Sequence, residues 1–424
     1  MAKSNLLSRV QQYSRAQLEP AWLLALRTQA VTAALKLPAP RFEKIAYADW
    51  SLFESAAPSQ TEVAAPMGPL ATLGRTQQFY AVGATTIQLT LPIAALRQGV
   101  ILSDLRSAIR THGDLVKPYL ARTMAVDEDK FGAWNTALMT NGFFLYIPAN
   151  VQLEEPIEIL QLVDQRQPAH VVQRSLLITS SGAHVKVVQR LQSLGTQPTT
   201  VHHLVEVVAA ANSQVEFAGL DELNTAATAY ISRRGVVAPD AQLDWELAEM
   251  NAGRIIGDFK TTLNGQGAQA TVKTIAVANG QQTQGLNTRV TNVGPQTVAQ
   301  IVQRGVILAQ ATLIFNGIGH IVKGAHGAQA NQENRLLMLT STARGDANPI
   351  LLIDENDVEA GHAASVGRVD EQQLYYLMSR GLPRAVAERL VIRGFLAGVI
   401  TGLQSSQLQT ALMALIERRL TDET

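Results

Sequence analysis

His362 stands in the stretch VEAGHAASVGRVDEQQLYYLMSRGL (358–382), where small residues give way to a helical pattern. Gly361, Ala363 and Ala364 leave its imidazole almost unshielded, so another backbone or a partner can approach closely. Neutral imidazole is a borderline ligand that suits iron or zinc. The plainer alternative is that the small residues mark a tight junction between a strand and a helix, with no role for the ring. Seven further histidines are His112, His170, His184, His202, His203, His320 and His326. On a strand His202 and His203 point to opposite faces, so they do not chelate one ion together. His320 and His326 would share one face of an extended strand, roughly 20 Å apart. Each of these seven reads first as a surface or hydrogen-bonded histidine.

The rest of the chemistry is mostly absence. The chain has no cysteine, which excludes disulfides, thiolate nucleophiles and cysteine-ligated metals. There is no Gly-Lys dipeptide and hence no Walker-type phosphate cradle. GIGHIVKGAHGAQA (317–330) is glycine-rich, but Val322 stands where a dinucleotide fingerprint needs its last glycine. HExxH and GxSxG are missing, and spacing alone places no pair of carboxylates together.

Composition bounds the elements that must position these residues. Across 424 residues, 46% are hydrophobic and only 17% charged, enough for a sizeable core. Aromatic residues are 5%, so that core is built from Val, Ile, Leu and Ala, which favours stacked strands. Lys plus Arg and Asp plus Glu are 35 each, which argues against a nucleic-acid footprint. No run of 18 apolar residues is present and the first residues lack a signal-peptide core, so a soluble cytoplasmic protein without a membrane span is expected.

Residues 1–60 read as helical, with Trp22, Leu26, Ala30, Ala33 and Leu37 on one face, Pro20 in the first turn and Pro38 as the stop. Residues 54–74 read as a loose connector, and 78–102 as strand-like. Short helices follow, with Ser103 as a cap and Gly113 as a break. From about Phe131 to Ile353 short β-branched runs alternate with Gly, Asn, Asp and Pro, and no crossover helices interrupt them. A weak repeat marks the turns: GAHV at 182, NSQV at 212, DAQL at 240, GAQA at 267, PQTV at 295 and GAQA at 327. Gaps of 27 to 32 fit one coil of a broad parallel β-helix, with a β-sandwich as the competing architecture. The tail, 370–424, is helical: Asp370 caps, Gly381 terminates, Pro383 reopens, and Leu408, Leu412, Leu415 and Ile416 line the last helix. Helices at both termini are expected to cap the open ends of such a stack.

The stretch DVEAGHAASVGRVDEQQLYYLMSRGLPRAVAERLVIRGF (357–395) resembles the C-terminal signature of the SufB/SufD family of iron–sulfur cluster assembly. Asp357, Val358, His362, Gly367, Asp370, Tyr376, Arg380 and Gly381 stand at positions of that pattern. GAHGAQANQENRLLMLTSTARGDANPILLI (324–353) and KFGAWNTALMTNGFFLYIPANVQLEEPIEI (130–159) are similar to further family blocks. The amino-terminal pattern is also similar, but Ile45 and Ala46 stand near where a Trp is usual. The missing cysteines and the short amino-terminal helical region favour the SufD branch.

The resemblance implies a right-handed parallel β-helix core at 131–354, flanked by a mainly helical region at 1–130 and a helical domain at 355–424. It implies a non-catalytic scaffold in a complex with SufB and two copies of the ATPase SufC, nucleotide chemistry sitting on the latter. SufC would dock near 370–424, with Tyr376, Arg380, Gly381 and Phe395 as candidates. SufB would pair through the C-terminal part of the β-helix, placing His362 near the interface. Ala360 stands where some members carry a cysteine, which leaves His362 as the sole candidate for contact with a nascent cluster. No cofactor is expected to stay bound; iron or a cluster would be held transiently and shared with SufB. Exposed sheet ends would let the isolated chain pair with itself. A carbohydrate-active β-helix enzyme is the competing function, disfavoured by few aromatic residues and no paired carboxylates.

Overall fold

The computed structural model describes residues 2–53, 78–401 and 406–421. The connector expected at 54–74 lies outside these residues, as does the side chain of Leu408. Helices α1 (Ala2–Ala16) and α2 (Ala21–Lys36) begin the chain. The face that α2 buries is Leu23, Arg27, Ala30, Val31 and Ala34, one step round from the expected stripe. Arg27 is the reason. Its guanidinium pairs with Glu19 at 2.7 Å and donates to the carbonyls of Ala137 and Met139 at 2.9 Å, which turns that side inward. Residues 37–53 form turns instead of the expected helix.

Strands β1 (Phe79–Val82), β2 (Thr85–Leu89) and β3 (Ile101–Asp104) surround the short helix α3 (Ile93–Arg97). Asp104, one residue past the expected Ser103, caps α4 (Leu105–Thr111) by accepting from the Ser107 amide at 2.9 Å. Gly113 opens α5 (Gly113–Val116) where a break was expected. Helix α6 (Lys130–Leu138) then leads into a long run of strands.

These strands alternate between two sheets. One holds β5 (Ile157–Gln165), β7 (His184–Gly195), β9 (Gln214–Glu222), β11 (Gln242–Glu249), β13 (Gln269–Ala278), β15 (Val298–Ile307), β17 (Ala328–Met338) and β19 (Val358–Arg368). The other holds β4 (Phe143–Ile147), β6 (Ala169–Thr179), β8 (Thr199–Ala209), β10 (Ala227–Val237), β12 (Arg254–Leu263), β14 (Thr283–Asn292), β16 (Thr312–Ile321) and β18 (Arg344–Ile353). Each strand pairs in parallel with the one two places on, which gives a parallel β-solenoid of about eight coils and excludes the sandwich. β1 extends the first sheet in parallel, whereas β2 and β3 close the N-terminal end by antiparallel pairing.

Alternate residues point into the lumen, where Val, Ile, Leu, Ala and Phe form one continuous core. The repeat seen in the sequence is the corner before β7, β9, β11, β13, β15 and β17. Gly182, Asn212, Asp240, Gly267, Gln296 and Gly327 all have φ between 55° and 69°. The next residue, Ala183, Ser213, Ala241, Ala268, Thr297 or Ala328, is buried. The fifth corner therefore starts at Gln296, one residue after Pro295. Each corner amide donates to the corner of the following coil, as Gly182 does to Ala211 and Gly327 to Asp357.

Three further helices follow the strands: α7 (Glu371–Ser379), α8 (Arg384–Ile400) and α9 (Ser406–Thr421). No described helix is long and apolar enough to cross a membrane. The first and last helices cover the flanks of the solenoid, which corrects the expectation that they cap its ends; at the N-terminal end it is the short α3 that buries Ala95 against the lumenal core. Ile392, Leu396, Leu412, Leu415 and Ile416 pack on the outer face of the β5–β19 sheet, against Ala218, Ile275 and Val306. The N-terminal helices pack against the other sheet, on Val172, Leu176 and Ile178. Apolar stripes bury best against broad apolar sheet faces, and both helical groups have one. Among the described residues, no further strand pairs with the outer edges of β18 and β19. The coil stack also runs on to Arg368, past residue 354, into the stretch expected to be helical.

Candidate functional site

His362 lies in the middle of β19, which replaces the expected strand-to-helix junction. The Ala, Gly and Ser residues around it are the strand itself. Nearly every β19 residue is exposed, since no coil stacks on its outer side. His362 pairs in register with Gln332 of β17, and Val358 with Ala328. Ala328, Ala330 and Leu336 belong to the lumen core, so strand alternation puts Val358, Ala360, His362 and Ala364 on the lumen side. The imidazole thus sits at the mouth of the solenoid. Leu352, Ile353 and Val366 are exposed on the same two terminal strands.

Charged groups surround this end. The Glu355 carboxylate accepts from the amides of Gly324 at 3.0 Å and Asn356 at 2.8 Å, with Lys323 and His326 nearby. Those amides, then the two basic groups, pull its pKa down to about 2. His320 bridges Arg289 and Asp354 through its two ring nitrogens, at 2.7 and 3.2 Å. His320 is the penultimate residue of β16 and His326 lies in the following corner, so they do not share a strand as expected. Among the described residues, no three His, Asp or Glu side chains converge to hold a metal ion.

Three of the remaining histidines have partners within the fold. His202 and His203 do face opposite ways. His202 Nε2 donates to the Leu52 carbonyl at 2.7 Å beneath the N-terminal region, and burial takes its pKa down to about 4. His203 points into the lumen, with Nδ1 on Gln173 at 3.1 Å and Nε2 on Gln189 at 3.0 Å. The Gln189 amide also donates to Gln161. The file of polar side chains is held neutral, because burial first and then Arg233 push His203 well below its usual range. His184 pairs with Glu216 at 3.2 Å.

The helical candidates separate into two groups. Helix α7 starts at Asp370, whose carboxylate accepts from the Gln372 amide at 2.8 Å. It ends in a Schellman turn: Gly381, at φ 89°, donates to Met378, and Leu382 to Leu377. Tyr375 and Tyr376 are 75% and 58% exposed, and Arg380 lies 5.2 Å above the Tyr376 ring. Phe395 is different. It is half-buried against the sheet under the Arg304 guanidinium, 5.6 Å from the ring, and so packs inside the chain.

One cluster escaped sequence reasoning. Arg233 Nη2 donates to both oxygens of Asp221 at 3.0 Å, deep in the lumen. Glu249 stands in register beside Asp221 and accepts from Asn251 at 2.9 Å. Burial, then the Asp221 charge, pushes the Glu249 carboxyl well above its usual range. Spacing of one coil between two acids was the available signal. With no opening to solvent at 0–1% exposure, the pair is a structural device and no sugar-cleaving site.

The chain matches two family models, "SUF system FeS cluster assembly, SufBD core domain" over residues 162–395 and "SufBD protein N-terminal region" over residues 73–159. It is 38% identical over 425 residues to the iron–sulfur cluster assembly protein SufD of Bacillus subtilis, covering 96% of each chain. It is also 25% identical over 408 residues to an iron–sulfur cluster assembly SufBD family protein of Staphylococcus haemolyticus, covering 91% of this chain and 87% of the relative.

Proposed function

The chain belongs to the SufB/SufD family of iron–sulfur cluster assembly proteins, on the SufD side, and we propose that it serves there as a non-catalytic scaffold subunit. The observation that carries this reading is the placement of His362 on an uncovered edge strand at the mouth of the solenoid. Two parallel edges ending together offer unpaired amides and carbonyls to a partner of matching architecture. In this reading SufB adds its own terminal strands there, and the exposed Leu352, Ile353 and Val366 become the apolar part of the contact. His362 then faces SufB groups across the seam, where iron and sulfide are assembled as cargo and later passed on. Without SufB, the same edges would let two copies of the chain pair.

SufC is assigned to the surface of α7. Tyr376, Arg380 and Gly381 are exposed there, and α8 links that surface to the sheet. Movement of the ATPase would reach the seam through these helices, and nucleotide hydrolysis would remain with SufC in the cytoplasm. Co-expression with SufB and SufC, followed by anaerobic cluster reconstitution, tests the reading. His362→Ala lowers cluster yield severalfold while the three-protein complex purifies in unchanged amount. Unchanged yield overturns the role given to His362.

A further inference from the structure

Gln332 is 5% exposed, in register with His362 on the adjacent strand and on the same lumenal side. Its Nε2 donates to the Ile350 carbonyl at 2.9 Å. Its Oε1 is buried without a hydrogen-bond partner. Leaving such an acceptor unpaired costs about 1–3 kcal/mol, and native interiors rarely tolerate it. Across the lumen stands Gly317, whose missing side chain makes room for that oxygen: a Cβ there would meet it at 2.4 Å. Asn334, next on the same side, is buried and bonded to neither Gln332 nor any other described group.

Two sources of a donor adjoin the Gln332 oxygen: the unpaired Asn334 Nδ2, which a Cβ on Gly317 would meet at 2.6 Å, and the open side of the solenoid. The next strand out lies about 4.8 Å away, and the residue it places in register is His362. An imidazole on that strand is long enough to meet a carboxamide one strand below. It is exposed, and exposed side chains change rotamer in picoseconds to nanoseconds.

We propose that Gln332 is a positioning residue for His362. Its Oε1 accepts a hydrogen bond from the N–H of one ring nitrogen and turns the other nitrogen, with its free lone pair, toward the open edge. An imidazole ligates metal through a nitrogen left unprotonated, and a carbonyl on the second nitrogen fixes which one that is. The inference deepens the scaffold reading and rests on it only for the purpose of the free nitrogen. The hydrogen bond itself needs neither partner nor cluster.

The test uses the full chain alone, labelled with ring-15N histidine, at a pH where the rings are neutral. Long-range nitrogen–proton correlation reads the tautomer of His362, assigned by its loss in His362→Ala. One dominant tautomer is expected. Gln332→Met keeps the shape but removes the acceptor and should shift the tautomer ratio about fivefold toward that of free imidazole. Gln332→Glu retains an oxygen and restores the single tautomer. Asn334→Leu leaves the ratio unchanged. A free-ring mixture in the unaltered chain overturns the proposal without any variant, and so does an unchanged ratio in Gln332→Met. Either failure leaves the reconstitution result for His362→Ala standing on its own.

Discussion

Asp221 and Glu249 stand one coil apart in the chain and in register inside the lumen, where burial, and after it the Asp221 charge, holds the Glu249 carboxyl well above its usual range. Arg233 neutralises the charge that remains on Asp221. Two acids, one proton and one guanidinium make a cluster without net charge, which a closed lumen can hold.

That balance fixes a sign. Glu249 has a raised pKa in the fold and an ordinary one when unfolded, so the fold holds the extra proton and loses stability as pH rises above about 4.5 toward the folded value. Glu249→Gln keeps a donor toward Asp221 without an ionisable proton. Melting curves between pH 5 and 8 should show the variant gaining on the native chain as pH increases. A constant difference across that range would refute the protonated state.

Arg174 and Glu206 are a fully buried ion pair at 2.6 Å. Glu206 also accepts from Thr123 Oγ1 at 2.7 Å, and Arg174 donates to Thr136 at 2.8 Å, which ties the segment before and within α6 to the solenoid. Glu206→Ala leaves a buried guanidinium unpaired and should cost about 3–5 kcal/mol in denaturant unfolding. Replacing both residues with apolar ones of similar volume should recover most of that loss.

Gln296 is the corner residue with a long side chain in the left-handed region, at φ 56°. Backbone strain of about 1 kcal/mol is expected for a residue with a Cβ there. Its side chain only accepts an exposed bond from Gln266. Gln296→Gly should therefore raise the melting temperature slightly. At Gly267 the reverse holds, because a Cβ would also meet the Asp240 carboxylate at 2.4 Å, and Gly267→Ala should lower it.

Tyr376 and Phe395 should part company experimentally. Tyr376→Ala should weaken capture of SufC with no change in melting. Phe395→Ala should destabilise the docking of α8 by up to about 3 kcal/mol, read by amide exchange in that helix.

The corners were legible because they need a residue that tolerates φ > 0 followed by a small buried one, and both leave a trace in a single chain. What lay across a coil was harder to read. Tyr230 with Asp258, Gln161 with Gln189 and Arg174 with Glu206 are pairs about one coil apart, invisible until the coil length is applied as a ruler. β19 was missed because Ala, Gly and Ser carry no strand signal; its neighbour β17 imposes the conformation. Where the helices lie was hidden for another reason: an apolar stripe states that something is covered, without saying whether it is a flank or an end.

Every corner amide finds its acceptor in the coil made after it. During synthesis each of these corners therefore emerges before the acceptor that completes it, which the next coil supplies. Among the described residues no coil follows β19, so the last coil keeps the open edge that the next coil closes for each earlier one.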